Sequence, residues 1–299
     1  MDGETLQNLQ TERVLLGSYR VNIEESTQTF PINRLIGSCD GWEKRNKKNL
    51  LLKQIQPQMS NIFLSRITNT HVPCENDGYP FSIPAIKALK TMEFTTDVTY
   101  LIGENGSGKS TLMEAIAVKM GMNAEGGGQN FRFSTQETHS NLSESLRLTK
   151  TPYRLQDLFF YRAESFYNAI SYLASLEDDP FRSYGGVNLH EYSHGEGMVL
   201  FFENRLKRGF YLFDEPEAAL SYQNQLRFLV WMKQAVEAGS QLIISTHSPV
   251  LLAYPGATIY HLNENGIQQT SYKESYIYQD MRSFINNVPL VQEELGLLS

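Results

Sequence analysis

An α/β architecture with a mainly parallel sheet is predicted for this chain by three apolar runs, each ending in residues with chemical potential. Val98, Tyr100, Leu101 and Ile102 lead into a glycine-rich loop; Phe210, Tyr211, Leu212 and Phe213 end in Asp214-Glu215; residues 241–246 end at His247. Each reads as a buried strand, and strands alternating with helical stretches favour helices packed on a largely parallel sheet.

The loop is the most informative element. Gly103-Glu104-Asn105-Gly106-Ser107-Gly108-Lys109-Ser110-Thr111 fits G-x-x-x-x-G-K-[ST]. The glycines let backbone N–H groups curl around phosphates, and a helix N-terminus adds its positive dipole end. Leu112, Met113, Ile116 and Met120 then recur at helical spacing before Gly121 ends the helix. The pattern predicts binding of a nucleoside triphosphate, with Lys109 reaching the β- and γ-phosphates and Ser110 holding Mg²⁺.

Bulk properties narrow the classes. A chain of 299 residues is long enough to bury a core without disulfides, and only Cys39 and Cys74 are present, so neither a disulfide framework nor a CxxC zinc site is expected. The cysteine usage, the lack of a long apolar run and an N-terminus without basic and apolar blocks predict a cytoplasmic protein. A formal net charge of −7 argues against a surface that wraps nucleic acid as a whole, while leaving room for a local basic patch. Residues 44–48 (KRNKK) read as a solvated loop.

Along the chain, residues 1–58 are polar with little periodicity apart from a strand expected within 14–23, and read as an N-terminal extension. Better patterning begins at Met59 and defines a second region, 59–299. A strand is expected at 61–68, a proline-punctuated excursion at 73–84, a turn at Gly126-Gly127-Gly128, a helical region from 136 to 150, and an aromatic strand at Leu158-Phe159-Phe160-Tyr161.

The remaining motifs carry chemistry. Asp214 can hold Mg²⁺ through water and Glu215 can orient an attacking water. His247 is placed to donate to a γ-phosphate; Ser248 and Pro249 also suit a helix N-cap and first position, and the two readings are compatible. Ser193 with Glu196 three residues on is a capping box, opening an apolar helix through Met198, Val199, Phe202 and Leu206. The same capped start, with a serine hydroxyl and a glycine amide, is an anion-binding surface.

The order of phosphate loop, Ser193-His194-Gly195-Glu196, Asp214-Glu215 and His247 resembles an ABC-type ATPase, whose signature is written LSGGQ, or LSGGE in the SMC-like branch. The likeness spans about residues 59–270. Residues 214–221 (DEPEAALS) and 245–249 (STHSP) resemble the RecF, SMC and OLD side of that superfamily more than transporter subunits. Residues 123–127 (NAEGG), 162–166 (RAESF) and 254–257 (YPGA) are similar to a group of compact bacterial ATPases. The resemblance implies a P-loop NTPase fold of ABC nucleotide-binding-domain type, with an antiparallel β subdomain and a helical signature region at about 136–206. It further implies ATP and Mg²⁺ as ligands, catalysis by Glu215, His247 and Lys109, and a trans ATP contact from Ser193 to Glu196 of a second copy. One chain then carries two half-sites, so a two-fold homodimer forms on ATP binding.

Departures from the pattern matter. The first signature glycine is His194, the leading leucine is Tyr192, and the D-loop aspartate position is Ser221. No glutamine ends the strand near Tyr161; Arg162 or Glu164 substitutes. Tyr79 and Phe81 are candidates to stack on adenine, against packing in the core. Three functions follow: an ATPase in nucleic-acid maintenance or defence acting on nucleic acid or a separate effector protein, the nucleotide-binding subunit of a transporter, or a regulator with little turnover. The 84-residue step from Lys109 to Ser193 is too short for a long coiled-coil arm.

Overall fold

The computed structural model describes residues 19–23, 26–30, 62–74, 76–128, 140–163, 165–166, 192–205 and 207–297. Contacts divide the chain into two units, Met1–Gln58 and Met59–Ser299. In the first, β1 (Tyr19–Ile23) pairs with β2 (Ser26–Phe30) in an antiparallel hairpin. The hairpin overlaps the strand expected within 14–23 and adds a partner the polar sequence did not announce. The basic run 44–48 lies outside the described residues.

The second unit is built on a seven-stranded sheet. Its five central strands are parallel: β11 (Thr258–Asn263), β5 (Val98–Ile102), β10 (Gln241–Ser245), β9 (Gly209–Asp214) and β8 (Asp157–Arg162). Antiparallel β12 (Gly266–Thr270) and the two-residue β6 (Gly127–Gly128) close the edges. Every residue of β5, β9 and β10 is buried, as parallel strands covered on both faces require. The loops that follow β5, β8, β9 and β10 therefore emerge along one edge, the carboxyl edge where open α/β sheets bind ligands.

Two cores flank the sheet. On one, α4 (His194–Asn204) and α5 (Tyr222–Glu237) bury an aromatic cluster of Phe159, Phe202, Phe213, Phe228 and Trp231, with the Trp231 indole N–H on Phe202 O at 2.7 Å. On the other, α2 (Lys109–Lys119) buries Leu112, Met113 and Ile116 against the sheet and a second, three-stranded antiparallel sheet. That sheet has the order β4 (Thr91–Glu93), β3 (Leu64–Asn69), β7 (Leu146–Lys150). The short helix α1 (Pro84–Ala88) precedes β4. Gln241 fastens the two sheets: its buried Oε1 accepts from the Phe63 and Leu64 N–H groups at 2.9 and 2.8 Å, and its Nε2 donates to Leu64 O at 2.9 Å. Beyond β12 the chain ends in α6 (Tyr276–Asn286) and α7 (Val288–Glu294).

The helical region expected at 136–150 is corrected. Only α3 (Leu142–Ser145) is helical, and β7 follows at once, while 136–139 lie outside the described residues. Leu146 and Leu148 alternate with Arg147 and Thr149, a period-two pattern that pairs with β3 from Asn69↔Leu146 onward. The wider segment 136–206 is likewise not uniformly helical, since it contains β7 and β8; residues 167–191 are outside the description. Among the described residues no helix is long and apolar enough to cross a membrane.

Candidate functional site

The phosphate loop joins the end of β5 to α2, and its backbone is set by glycine: Gly108, the residue before the helix, has φ 98°, in the left-handed region. A Cβ there would press on Ile83 at 3.1 Å and Ile86 at 3.2 Å. Lys109 is 4% exposed, with Nζ donating to Gly103 O at 2.7 Å and Glu104 O at 3.1 Å. Burial lowers its pKa, opposed by Glu215, Asp214 and Glu217. Asn105 and Gly106 are exposed at the tip, and Ser107 Oγ is buried with no hydrogen-bond partner among the described residues. Thr111 Oγ1 lies 3.2 Å from the Tyr79 hydroxyl.

Strand register brings the other groups to this loop. Ser245 of β10 is aligned with Leu101 on one side and Asp214 on the other, and Arg162 of β8 is aligned with Asp214. Ser110 Oγ donates to Asp214 Oδ1 at 3.1 Å. Asp214 is 7% exposed; burial raises its pKa, and Arg162 and the Ser110 hydrogen bond pull it down. Glu215 is the single non-glycine residue with positive φ (47°) among those described, and its N–H donates to Ser245 O at 3.0 Å. A left-handed conformation costs Glu215 about 1–2 kcal/mol. Its Oε1 lies 3.5 Å from His247 Nε2. Burial, then the Lys109 charge, hold the His247 pKa below the ordinary histidine value, with Glu215 pulling upward.

Contacts place four residues that sequence reasoning missed or left open: Arg162, Glu217, Phe81 and Tyr79. Arg162 reaches Asp214 Oδ2 at 3.8 Å and Glu114 Oε2 at 3.6 Å, and donates to Ala124 O at 3.2 Å. The other Q-loop candidate, Glu164, lies outside the described residues. Glu217 is half-buried, and its Oε1 accepts from the His247 backbone N–H. No sequence pattern marks it, because an acid in a turn after a strand ordinarily reads as solvated. Phe81 is buried and stacks on His71 at 3.7 Å, while Tyr79 is 66% exposed beside Thr111. Ser248 Oγ accepts from the Val250 and Leu251 N–H groups, but the helix expected to open at Pro249 is corrected: the structure has a three-residue 3-10 turn, Leu251–Ala253, whose N-cap is Val250.

The signature segment forms a separate structure at the start of α4. Ser193 Oγ donates to Glu196 Oε2 at 2.7 Å and accepts from Glu196 N–H at 3.4 Å, and Ser193 N–H donates to the same carboxylate at 3.3 Å, completing the capping box. Ser193, His194 and Glu196 are exposed, whereas Gly195 is buried. A Cβ on Gly195 would sit 2.3 Å from Ala219 O, in the 3-10 turn Pro216–Ala219 that follows Glu215. The signature helix thus rests on the turn leaving the acidic strand of its own chain. Ser221, at the D-loop aspartate position, caps α5 by accepting from Asn224 N–H at 3.3 Å.

Ser110 and Asp214 present hard oxygen atoms beside the phosphate loop, the donor type that suits Mg²⁺, and the Ser110–Asp214 contact brings two such donors together. The residues present therefore fit that ion.

Two family models match the chain: one described as "AAA domain" over residues 83–165, and one described as "AAA domain, putative AbiEii toxin, Type IV TA system" over residues 181–253. An "Uncharacterized ABC transporter ATP-binding protein" of Haemophilus influenzae is 22% identical over 225 residues, covering 67% of this chain and 84% of the relative. Among solved structures, cbiO1 from Clostridium perfringens, described as part of the ABC transporter complex cbiONQ, aligns at 17% identity and TM-score 0.44, covering 78% of this chain and 99% of that one. The SMC head domain from Thermotoga maritima aligns at 15% identity and TM-score 0.39, covering 70% and 99% respectively. The motifs gather on the carboxyl edge of the parallel sheet, and the two matching models, one over the phosphate loop and one over the signature, the acidic strand and His247, make the chain similar to AAA- and ABC-type ATPase domains.

Proposed function

We propose that this protein binds ATP with Mg²⁺, hydrolyses it, and uses the cycle to close and open a head-to-tail homodimer in the cytoplasm. The observation that carries the reading is the convergence of Lys109, the Ser110–Asp214 pair and the Glu215–His247 pair on one sheet edge. In the reaction, Glu215 accepts a proton from water as the water oxygen bonds the γ-phosphorus and the bond to the bridging oxygen breaks, yielding ADP and phosphate. Lys109 faces the β- and γ-phosphates, and neutral His247 donates a ring N–H to a γ-phosphate oxygen. Ser110 and Asp214 would hold Mg²⁺, whose chemistry there is neutralisation of charge on the phosphates. Arg162 takes the place of the Q-loop glutamine, balancing Asp214 and Glu114. Tyr79, exposed beside Thr111, is the residue we assign to stack on adenine; Phe81 belongs to the core.

The second half-site comes from Ser193–Glu196 of another copy, whose exposed helix start faces the γ-phosphate across the dimer. The load on this switch is proposed to be nucleic-acid maintenance or defence, through nucleic acid or a separate effector protein. The name of the Haemophilus relative favours a second reading, the ATP-binding subunit of a transporter; copurification with an integral membrane protein would select it.

The test is solution mass with and without ATP and Mg²⁺ for Glu215→Gln, which should bind but stall. An ATP-dependent doubling of mass, abolished by adding Ser193→Arg, is the expected result. A monomer that binds ATP in both variants would end the dimer mechanism and leave Ser193–Glu196 as a helix cap.

A further inference from the structure

The ATP site leaves unused a cationic groove at the far end of α2. An open groove of about 400 Å³ is lined by Lys119 of α2, Arg147 and Lys150 of β7, with Glu144, Thr70 and Leu148 completing its walls. Lys119, Arg147 and Lys150 are exposed, and among the described ion pairs none engages any of them, although the Lys150 ammonium lies 5.8 Å from the Phe63 ring centroid. Each cation has an ordinary explanation by itself: a lysine in the last turn complements the helix dipole, and charges on β7 protect a strand at the edge of its sheet. What those explanations do not require is that all three converge on one concavity, with a single acid opposite, in a chain of formal net charge −7.

We propose that this groove docks the phosphodiester backbone of a nucleic acid. Three solvated cations drawn from two elements do not enclose or desolvate a small anion. They suit an extended polyanion, whose phosphates are met by exposed Lys and Arg with release of counterions. Arg147 and Lys150, three residues and about 10 Å apart along β7, leave the strand on alternate faces and both border the groove, so the contact follows that strand edge and carries no base recognition. The groove is tied to the ATP site by one rigid element: α2 begins at Lys109 in the phosphate loop and ends at Lys119, about 15 Å away. The proposal rests on the reading of the protein as an ATPase that acts on nucleic acid, and gives that reading a surface.

The experiment measures binding of a short labelled DNA duplex, by fluorescence anisotropy, between about 50 and 200 mM salt. The full-length protein is compared with K119E/R147E/K150E and with K233E/K273E/R282E, which makes the same change in net charge at exposed positions outside the groove. The groove variant should bind at least about tenfold more weakly, with the log–log salt slope reduced by about 2–3, since each phosphate contact contributes about 0.9. The control should stay within about twofold. Equal loss in both variants, or unchanged binding in the groove variant, overturns the proposal, as does binding of free tripolyphosphate at the groove without binding of the duplex. K119A/R147A/K150A, which removes charge without reversing it, should give an intermediate loss. Affinity for a fluorescent ATP analogue, unaltered in every variant, shows that each is folded. Turnover without DNA depends on residues none of these variants touches, so failure of the ATPase reading registers separately from failure of the groove.

Discussion

The two proposed half-sites of this molecule are built in opposite ways. The phosphate-loop half is assembled inside the fold: Lys109 is 4% and Asp214 7% exposed, Lys109 held by the Gly103 and Glu104 carbonyls of its own loop and Asp214 by the Ser110 hydroxyl at the start of α2. The signature half is an exposed helix start whose polar atoms satisfy one another in a capping box. The first, as proposed, would engage nucleotide with its own chain alone. The second offers an anion site only to something outside the chain, which is what a site shared between two copies needs. Substitutions on the two sides should therefore fail differently, in affinity on one and in association on the other.

The largest separation is expected from Lys109→Ala against Ser193→Arg. Truncating a buried charge that pairs with a ligand typically costs about 2–5 kcal/mol, so Lys109→Ala should raise the ATP dissociation constant by about a hundredfold or more in a fluorescence titration. Ser193→Arg should leave the monomer's affinity within about twofold while removing the ATP-induced dimer. Comparable weakening in both would break the comparison, because it would put the signature on the ATP site of its own chain.

Gly195→Ala tests a contact between the signature helix and the turn after Glu215 in the same chain. The added methyl would meet Ala219 O at 2.3 Å, and since that atom is backbone no side chain can swing away. Overpacking of this kind costs about 1–3 kcal/mol. The expected outcome is a lowered melting temperature and loss of the ATP-dependent dimer, with ATP affinity retained. If turnover and dimer both survive, the signature helix is not positioned by the Pro216–Ala219 turn.

The same contrast explains what could be read from the sequence. The phosphate loop, Asp214-Glu215, His247 and the Ser193–Glu196 box are local in the chain, with spacing and residue type stating their geometry. Arg162, Glu217 and β7 are not local. The part Arg162 plays depends on Asp214, 52 positions away in the chain, and on Glu114, 48 positions away. Glu217 is legible only once the end of β10 is known to lie over it. β7 was mistaken for helix because its polar residues suit a helix surface, while pairing with β3 decided its conformation. Gln241 shows the same limit: a glutamine opening an apolar run carries no mark of joining two sheets.

Arg162→Gln sharpens the phosphate-loop side. The guanidinium lies 3.8 Å from Asp214 Oδ2, so it competes for the carboxylate that is proposed to hold Mg²⁺. Replacing it with the neutral residue usual at a Q-loop should lower the Mg²⁺ concentration for half-maximal turnover by about threefold, a modest shift because the pair is partly screened. A rise instead would mean that Arg162 helps to orient Asp214.

The smallest effects should come from two glutamates, and their signs should be opposite. Burial raises the Glu217 pKa above the ordinary 4.5, so this group favours the fold below that value and the favour is lost as pH rises through its folded pKa. At neutral pH its partly desolvated charge costs stability. Glu217→Gln keeps an oxygen to accept the His247 N–H and removes the charge, so it should melt about 2–4 °C higher than the parent near pH 7, from about 1 kcal/mol, with the gain vanishing below pH 4.5. Glu217→Ala should instead melt lower and lose turnover, because it leaves the His247 N–H unpaired at a cost of about 1–3 kcal/mol. Glu196 is displaced the other way: hydrogen bonds from Ser193 lower its pKa, so its contribution is present above 4.5 and is lost as pH falls through the folded value. Glu196→Gln should therefore lower the melting temperature at neutral pH and change nothing in strong acid. Melting curves of both variants across pH decide the matter: opposite slopes mean that the inner half-site carries a charge the fold resists and the outer one a charge the fold uses, and parallel slopes would remove that distinction.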